Sequence, residues 1–271
     1  MCNINLVYCR KGNDHRVHEL MNIMSLESWG QNSDGEGYIA IREDGSVTMN
    51  KSRDKIMYHD DASCIVSHQR WATHGTKDAD NAHPYETENY ILMHNGILSG
   101  ECPDKTKSDS WHFAQELQNT PMSFKKAFHK VAKNWSGSAS MVIYDKRNRK
   151  LFYTKNSTAS FHILIGEDWI IGSTIKCNVE YAKTFLNMKE EILVPNNDMF
   201  IDVLKGFAFA SKHCGIATYK WVAPKSYATA CTTYTDKDWE LNDGVWRKKI
   251  KESEDKDIVP SNRVYQDLYS Y

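Results

Sequence analysis

Short apolar runs along this chain alternate with stretches whose apolar positions recur at helical spacing, and the switches between the two outline its elements. Ile4–Tyr8 is a run suited to a buried strand near the beginning. Val17, Leu20, Met21 and Met24 then fall at i, i+3, i+4 and i+7, one face of a helix. Gly30, Gly35 and Gly37 punctuate a turn-rich loop before a strand at Tyr38–Arg42. Asp44–Gly45 predicts a hairpin into Val47–Met49, because Asp-Gly tolerates the positive φ of a tight turn. Cys64–His68 and Tyr90–His94 follow as strands, separated by a loop rich in Gly, Asp, Asn and Pro.

Two helices come next. One begins near Ser108–Asp109 and carries Trp111, Ala114 and Leu117; the other has Pro121 near its start and repeats Phe124, Ala127, Phe128 and Val131. Strands then resume at Ala139–Asp145, Leu151–Thr154, Phe161–Gly166 and Trp169–Ser173. A short helix near Val179–Leu186 and strands at Ile192–Val194 and Phe200–Val203 complete the set. Strands, then helices, then strands again predict an α+β sandwich with helices packed on antiparallel sheet, without internal repeats.

Composition narrows the function classes. At roughly 150 residues per domain, 271 residues make one large domain or two small ones, with length enough for a self-sufficient core. Lys plus Arg is 34 and Asp plus Glu 35, so a net charge of -1 gives no general attraction to nucleic acid or an anionic membrane. Apolar runs such as Ile91–Met93 and Ile163–Ile165 are too short to span a bilayer, and the start lacks a basic region followed by a long apolar stretch. The seven cysteines, at 2, 9, 64, 102, 177, 214 and 231, are scattered without a C-x-x-C pair. They suggest reduced thiols in a cytoplasmic protein and neither a disulfide framework nor a structural zinc site. From Gly215 the character changes: residues 216–271 hold 6 of the 14 tyrosines and 3 of the 8 tryptophans, and nine of the eleven residues Arg247–Asp257 are charged. This stretch is either a partly solvated tail or a docking segment, since Tyr and Trp favour interfaces.

Several residues could carry chemistry. With Met1 removed, Cys2 would hold a thiol and a free α-amine of similar pKa, roughly 8.5 and 7.7–8.0, so that the amine could activate its own side chain. Arg70, in Ser67-His68-Gln69-Arg70-Trp71-Ala72-Thr73-His74-Gly75, offers a planar fork matched to a carboxylate, or else pairs with a surface acid. Asn95 and Gly96 together make either an oxyanion hole or an Asn-Gly hairpin turn. Asp109 could bind an ammonium group or complement a helix dipole. Histidines 68, 74, 83 and 94 match no metal-ligand spacing and are better explained by loop hydrogen bonding.

The order of these pieces carries more than any one of them. Met1-Cys2, SHQRWATHG, Asn81-Ala82-His83-Pro84, HNGILS and SDS resemble, in that sequence, the class II glutamine amidotransferases. The match is most like the glucosamine-6-phosphate synthase branch and covers roughly residues 2–210. The resemblance implies a four-layer αββα sandwich of the N-terminal-nucleophile hydrolase type, here a glutaminase domain over 2–214 followed by an extension over 215–271. It implies Cys2 as nucleophile with its own amine as base, and Asn95 and Gly96 at the oxyanion. Arg70, Thr73 and His74 would hold the α-carboxylate of L-glutamine, Asp109 and Gly96 the α-ammonium, and Trp71 would pack beside the pocket. No cofactor or metal is implied. The reaction would release ammonia through a γ-glutamyl thioester, for use by a synthase on a separate chain. A stand-alone amidohydrolase of another γ-glutamyl compound and a catalytically silent binding module are the alternatives. Two departures from the family pattern stand out: Asn3 follows the nucleophile where glycine is usual, adding a side chain near the thiol, and Gln31–Gly35 keeps only part of a glycine-tyrosine-aspartate-serine pattern.

Overall fold

A computed structural model describes residues 2–205 in full, together with the backbone of 209–210, 239–242 and 245–248. The chain divides into two units, 1–222 and 223–271. In the second, Trp239–Asn242 pairs antiparallel with Val245–Lys248; the remaining expectations for 216–271 lie outside the described residues.

In the first unit, chain order runs β1 (Asn3–Cys9), α1 (His15–Trp29), β2 (Glu36–Ile41), β3 (Val47–Ser52), β4 (Cys64–Gln69), β5 (Tyr85–Glu86) and β6 (Tyr90–Ser99). It continues with α2 (Asp109–Gln118), α3 (Phe124–Ala132), β7 (Ser136–Asp145), β8 (Lys150–Lys155), β9 (His162–Ile165) and β10 (Trp169–Ser173). Last come α4 (Lys176–Phe185), β11 (Ile192–Leu193), β12 (Phe200–Asp202) and β13 (Phe209–Ala210). Two antiparallel sheets form, ordered β11-β9-β10-β1-β4-β2-β3 and β13-β12-β8-β7-β6-β5.

The layering follows from which faces are apolar. β1 sends Ile4 and Leu6 to one side and Val7 and Cys9 to the other, and β6 divides Ile91 and Met93 from Tyr90 and Leu92 in the same way. A sheet apolar on both faces must be covered on both. Ile4, Leu6, Val66, Ile91, Met93, Val142, Tyr153 and Phe161 fill the space between the sheets. Val17, Leu20, Met21 and Met24 of α1, with Val179 and Ala182 of α4, cover the outer face of the first sheet. Phe113 of α2 and Phe124 and Phe128 of α3 cover the second, packing on Phe152 and Phe200. The result is the αββα sandwich.

The longest ladder departs from expectation. β6 and β7 pair over ten positions, from Tyr90↔Asp145 to Ser99↔Ser136, so β6 continues well beyond His94 and β7 begins before Ala139. The extensions pass through Asn95-Gly96 and Ser136-Gly137-Ser138, which lack β-branched side chains and so break the strand signal ahead of Ile97-Leu98 and Ala139. Asn95–Gly96 is therefore mid-strand and not a hairpin turn.

Phe128 is fully buried and meets the rings of Phe113 and Phe200 edge-on, at 5.4 and 5.0 Å. Phe128→Ala should destabilise the first unit by about 3–5 kcal/mol, read as a lowered denaturation midpoint in urea; a loss below about 1 kcal/mol would show that this layer is not packed as described.

Candidate active site

Register in the first sheet decides where the thiol goes. Asn3 pairs with Gln69, so Cys2, one residue beyond β1, meets the chain as it leaves β4. The Trp71 N–H points at Cys2 Sγ over 3.3 Å, and the Trp71 carbonyl lies 3.4 Å from the same sulfur. The thiol is half-buried beside this strand end. Burial pushes its pKa up; the Trp71 N–H and the Arg70 charge work against that rise, while Asp109 adds to it. Both charged residues are thus electrostatically in touch with the sulfur.

A cleft beside Cys2 is lined by Arg70, Trp71, Thr73, His74, Gly96 and Asp109, along with His83, His94, Ser108 and Ser110. All but one of the expected site residues therefore converge. Asn95 is the exception: it is half-buried in β6, opposite Ser140, and is not among the lining residues.

Arg70 is 3% exposed, and its guanidinium donates to the carbonyls of Thr76 at 2.8 Å and His74 at 2.7 Å. No carboxylate pairs with it among the described residues, which sets aside a surface ion pair. Two of five donors curl the loop round the guanidinium, and the rest of the fork remains for a ligand. Asp34 fixes the same loop by accepting the Ala72 N–H at 2.9 Å and pairing with Lys77 at 2.9 Å. Burial works to raise the Asp34 carboxyl, but these two partners outweigh it and hold it below the usual range.

The opposite charge is fixed as firmly. Ser108 caps α2 by accepting the Trp111 N–H at 3.2 Å, so Asp109 is the first helical residue. Its oxygens accept the Leu98 N–H of β6 at 2.6 Å and the Ser110 N–H at 2.7 Å. Helix-dipole complementarity accounts for its position, while the bond to β6 turns the carboxylate toward the cleft wall. Gly96 lies between the two anchors with φ +147; a Cβ there would stand 2.0 Å from the Ser138 carbonyl oxygen and 2.8 Å from His94 Nε2. Only glycine fits, and its backbone stays open to the cleft.

Asn81 was not expected to matter beyond its motif, yet it ties the two anchors together. Its amide donates to Thr76 Oγ1 at 2.8 Å and to the Thr106 carbonyl at 2.9 Å, and its Oδ1 accepts the Ser108 N–H at 3.1 Å. The signal for it is an Asn flanked by Asp78 and a proline two residues after Ala82, a turn-forming context in which a side-chain amide stands in for backbone partners.

The histidines need a different account from loop hydrogen bonding. His68 and His94 are strand residues: His68 Nε2 lies 3.0 Å from the His94 carbonyl, and His94 bridges Ser110 Oγ at 2.8 Å and the Ser138 carbonyl at 3.0 Å. His83 is 4% exposed, lies with its ring 4.0 Å from that of His68 and tilted to it by 42°, and has no hydrogen-bond partner at either ring nitrogen among the described residues. Only His74 bonds within its loop, to Thr73 Oγ1 at 3.2 Å. Burial lowers all three buried rings, His68 to about 3 and His83 well below the usual value; Asp109 partly offsets the fall at His94. They are neutral at physiological pH, so none of the three adds a positive charge beside Arg70. Among the described residues, no three His, Cys, Asp or Glu side chains group as ligands for a metal ion.

Asn3, although next to the thiol-bearing residue, turns its side chain away from the cleft. Strand alternation turns its fully buried side chain toward Ser28, Gln69 and Thr174.

No protein-family model matches the chain. Over 151 residues it is 32% identical to the isomerizing glutamine–fructose-6-phosphate aminotransferase of Helicobacter pylori, covering 50% of this chain and 23% of that protein. To the enzymes of the same name from Bacillus cereus and Listeria monocytogenes it is 24% and 27% identical, covering 69% of this chain and 35% of each. It thus spans about a third or less of the length of these relatives. In fold it matches glutamine phosphoribosylpyrophosphate amidotransferase from B. subtilis with a TM-score of 0.57 at 14% identity, over 74% of this chain and 47% of the other.

The depressed histidines set the pH response of stability. A ring held neutral in the fold but free to protonate near 6.5 when unfolded leaves stability intact above that pH and erodes it below. His68 alone should remove about 1.4 kcal/mol per pH unit between about 6 and 4. Urea midpoints at pH 7, 6 and 5 check this; a stability that does not fall toward pH 5 would contradict the burial of neutral rings.

Proposed function

We propose that this chain acts as a class II glutamine amidotransferase domain of the N-terminal-nucleophile type: it hydrolyses the side-chain amide of L-glutamine and supplies the ammonia to a synthase partner. The observation that carries the proposal is one cleft holding a thiol between a buried arginine and a buried aspartate, fixed through separate elements.

That arrangement suits an amino acid with a reactive side-chain end. Arg70, with Thr73 and His74 on its loop, takes the α-carboxylate, and Asp109 takes the α-ammonium, beside the Gly96 backbone. Opposite charges held at separate points orient the ligand and leave the side-chain amide to reach Cys2. Trp71, 49% exposed, lines one side of the cleft.

The chemistry runs in two steps. With Met1 removed, the α-amine of Cys2 accepts the thiol proton, and the sulfur attacks the amide carbon. The oxyanion that forms is met by the Gly96 N–H, with Asn95 next to it in β6 as the second proposed donor; loss of one such donor costs about 2.7–4 kcal/mol in the transition state. The tetrahedral intermediate collapses as the amine proton passes to the departing nitrogen, leaving a γ-glutamyl thioester and ammonia. Water, deprotonated by the same amine, then attacks the thioester and releases glutamate and the thiol.

The relatives are named as aminotransferases of glutamine and fructose-6-phosphate, so a synthase that takes up the released ammonia is the partner proposed here. Work in the cytoplasm accords with the nucleophile and with the free thiols of Cys9, Cys64, Cys102 and Cys177, which a reducing compartment preserves.

Ammonia release from glutamine tests the proposal. Cys2→Ala should lower turnover on the order of 10,000-fold or more. Arg70→Lys should raise KM roughly 10- to 100-fold, because a point charge replaces a bidentate fork. Unchanged turnover in Cys2→Ala would remove the sulfur from the mechanism, and a wild-type protein that releases no ammonia with or without synthase partners would end the glutaminase proposal.

A further inference from the structure

The outer face of β1 carries an anomaly. Val7 and Cys9 on that face pack among apolar side chains of α1 and α4, yet Asn3 and Asn5, nearer the thiol, are equally buried and polar. Their amides join a layer of side chains drawn from every neighbouring element. Asn5 accepts from Ser173 Oγ at 2.8 Å and from the Asn178 amide of α4 at 2.9 Å, and donates to Gln69 Oε1 at 3.2 Å. Gln69 donates to Glu36 Oε1 at 2.7 Å, where Tyr58 also donates at 2.5 Å. The Ser28 hydroxyl of α1 gathers Asn3, Asn5 and Asn178.

Asn3 occupies the end of this layer next to the nucleophile. Its Nδ2 donates to Ser28 and, at 3.4 Å, to Gln69; its Oδ1 accepts from Thr174 and, at 3.4 Å, from Ser173. Thr174 in turn holds the backbone just beyond: its Oγ1 accepts the Ile4 N–H at 3.1 Å, and its own N–H donates to the Ile4 carbonyl at 3.1 Å. The last paired residue of β1 is therefore fixed by its side chain on α1, β4 and the segment after β10, immediately before the chain turns out to Cys2.

We propose that Asn3 is a positioning residue for the Cys2 sulfur, its buried carboxamide clamping the strand end between Ser28 and Thr174. The proposal rests on Cys2 being the nucleophile. It accounts for a polar residue at this buried strand end: the side chain goes into the layer beneath the sheet, where it meets four partners, and leaves the cleft untouched. Asn5 lies in the same layer two residues further from the sulfur, with no contact to Thr174, and so serves as the internal control.

The experiment compares Asn3→Ala, Thr174→Val and Asn5→Ala with the unsubstituted chain, Thr174→Val being the near-isosteric variant that keeps packing if Asn3→Ala folds poorly. Two readouts are taken: the Trp71 amide resonance in a nitrogen–proton correlation spectrum, which reports the Trp71 N–H to Cys2 Sγ contact, and kcat and KM for glutamine. Asn3→Ala and Thr174→Val should move the Trp71 resonance in the direction that Cys2→Ala moves it. They should lower kcat on the order of 10- to 100-fold with KM within about threefold, since misplacement of a reacting atom is felt in the chemical step. Asn5→Ala should lower the melting temperature while leaving the Trp71 resonance and kcat in place. The proposal is overturned if both clamp variants leave the Trp71 resonance unmoved, or if Asn5→Ala matches them in both readouts. Absence of glutamine turnover in the unsubstituted chain would sink the glutaminase proposal alone, because the Trp71 comparison still decides this one.

Discussion

Because Asn3 pairs with Gln69 and the two strands run antiparallel, the residue before β1 and the residues after β4 are forced to the same edge of the sheet. That single register puts Cys2 against Trp71 and places Arg70 one residue away from it along the chain. A slip of one position would turn every side chain of β1 to the other face, exposing Asn3 and Asn5 to the apolar space between the sheets. The register is held by both faces at once: Ile4 and Leu6 belong to the core between the sheets, and the asparagines to the polar layer beneath α1 and α4.

The second sheet supplies what the first lacks. β6 crosses the cleft with Gly96, and its Leu98 N–H fixes Asp109 at the start of α2. Arg70 follows a strand of the first sheet and Asp109 opens a helix that packs on the second, and Asn81 spans the gap between the segments that hold them. Beside them the adjoining rings of His68 and His83 are kept neutral by burial. Neutral rings there add bulk and polarisability without a second positive charge that would compete with Arg70 for an anionic group. The cleft is in this sense built on burial: the same desolvation that keeps the histidines uncharged strengthens the field of the arginine and aspartate.

Much of this was legible in the sequence. Helical spacing located α1 and α3 with their buried faces, and apolar runs located most strands, because both signals come from burying one face of an element. The candidate site residues were proposed through order: no single motif separates Asn95–Gly96 from a turn or Arg70 from a surface pair, and the structure brings all of them but Asn95 to one cleft. What stayed hidden depends on contacts between distant segments. The extension of β6 and β7 through Asn, Gly and Ser has no local strand signal and exists because the two strands pair with each other. The bracing by Asn81 joins residues 76, 106 and 108, and the lone burial of His83 arises from packing against β2 and β4, neither of which a linear pattern encodes. Asn3 was legible as an oddity and not as to its direction, since only the strand register says which face it takes.

The central claim is that Cys2 is the nucleophile of an amino-acid cleft. It is tested most directly by treating the chain with an electrophilic glutamine analogue and mapping the adduct by peptide mass spectrometry, with and without excess glutamine. The account predicts one covalent adduct on Cys2, suppressed by glutamine and absent from Cys2→Ala. An adduct on Cys9, Cys64, Cys102 or Cys177 in place of Cys2, or labelling of Cys2 that glutamine does not suppress, would contradict it.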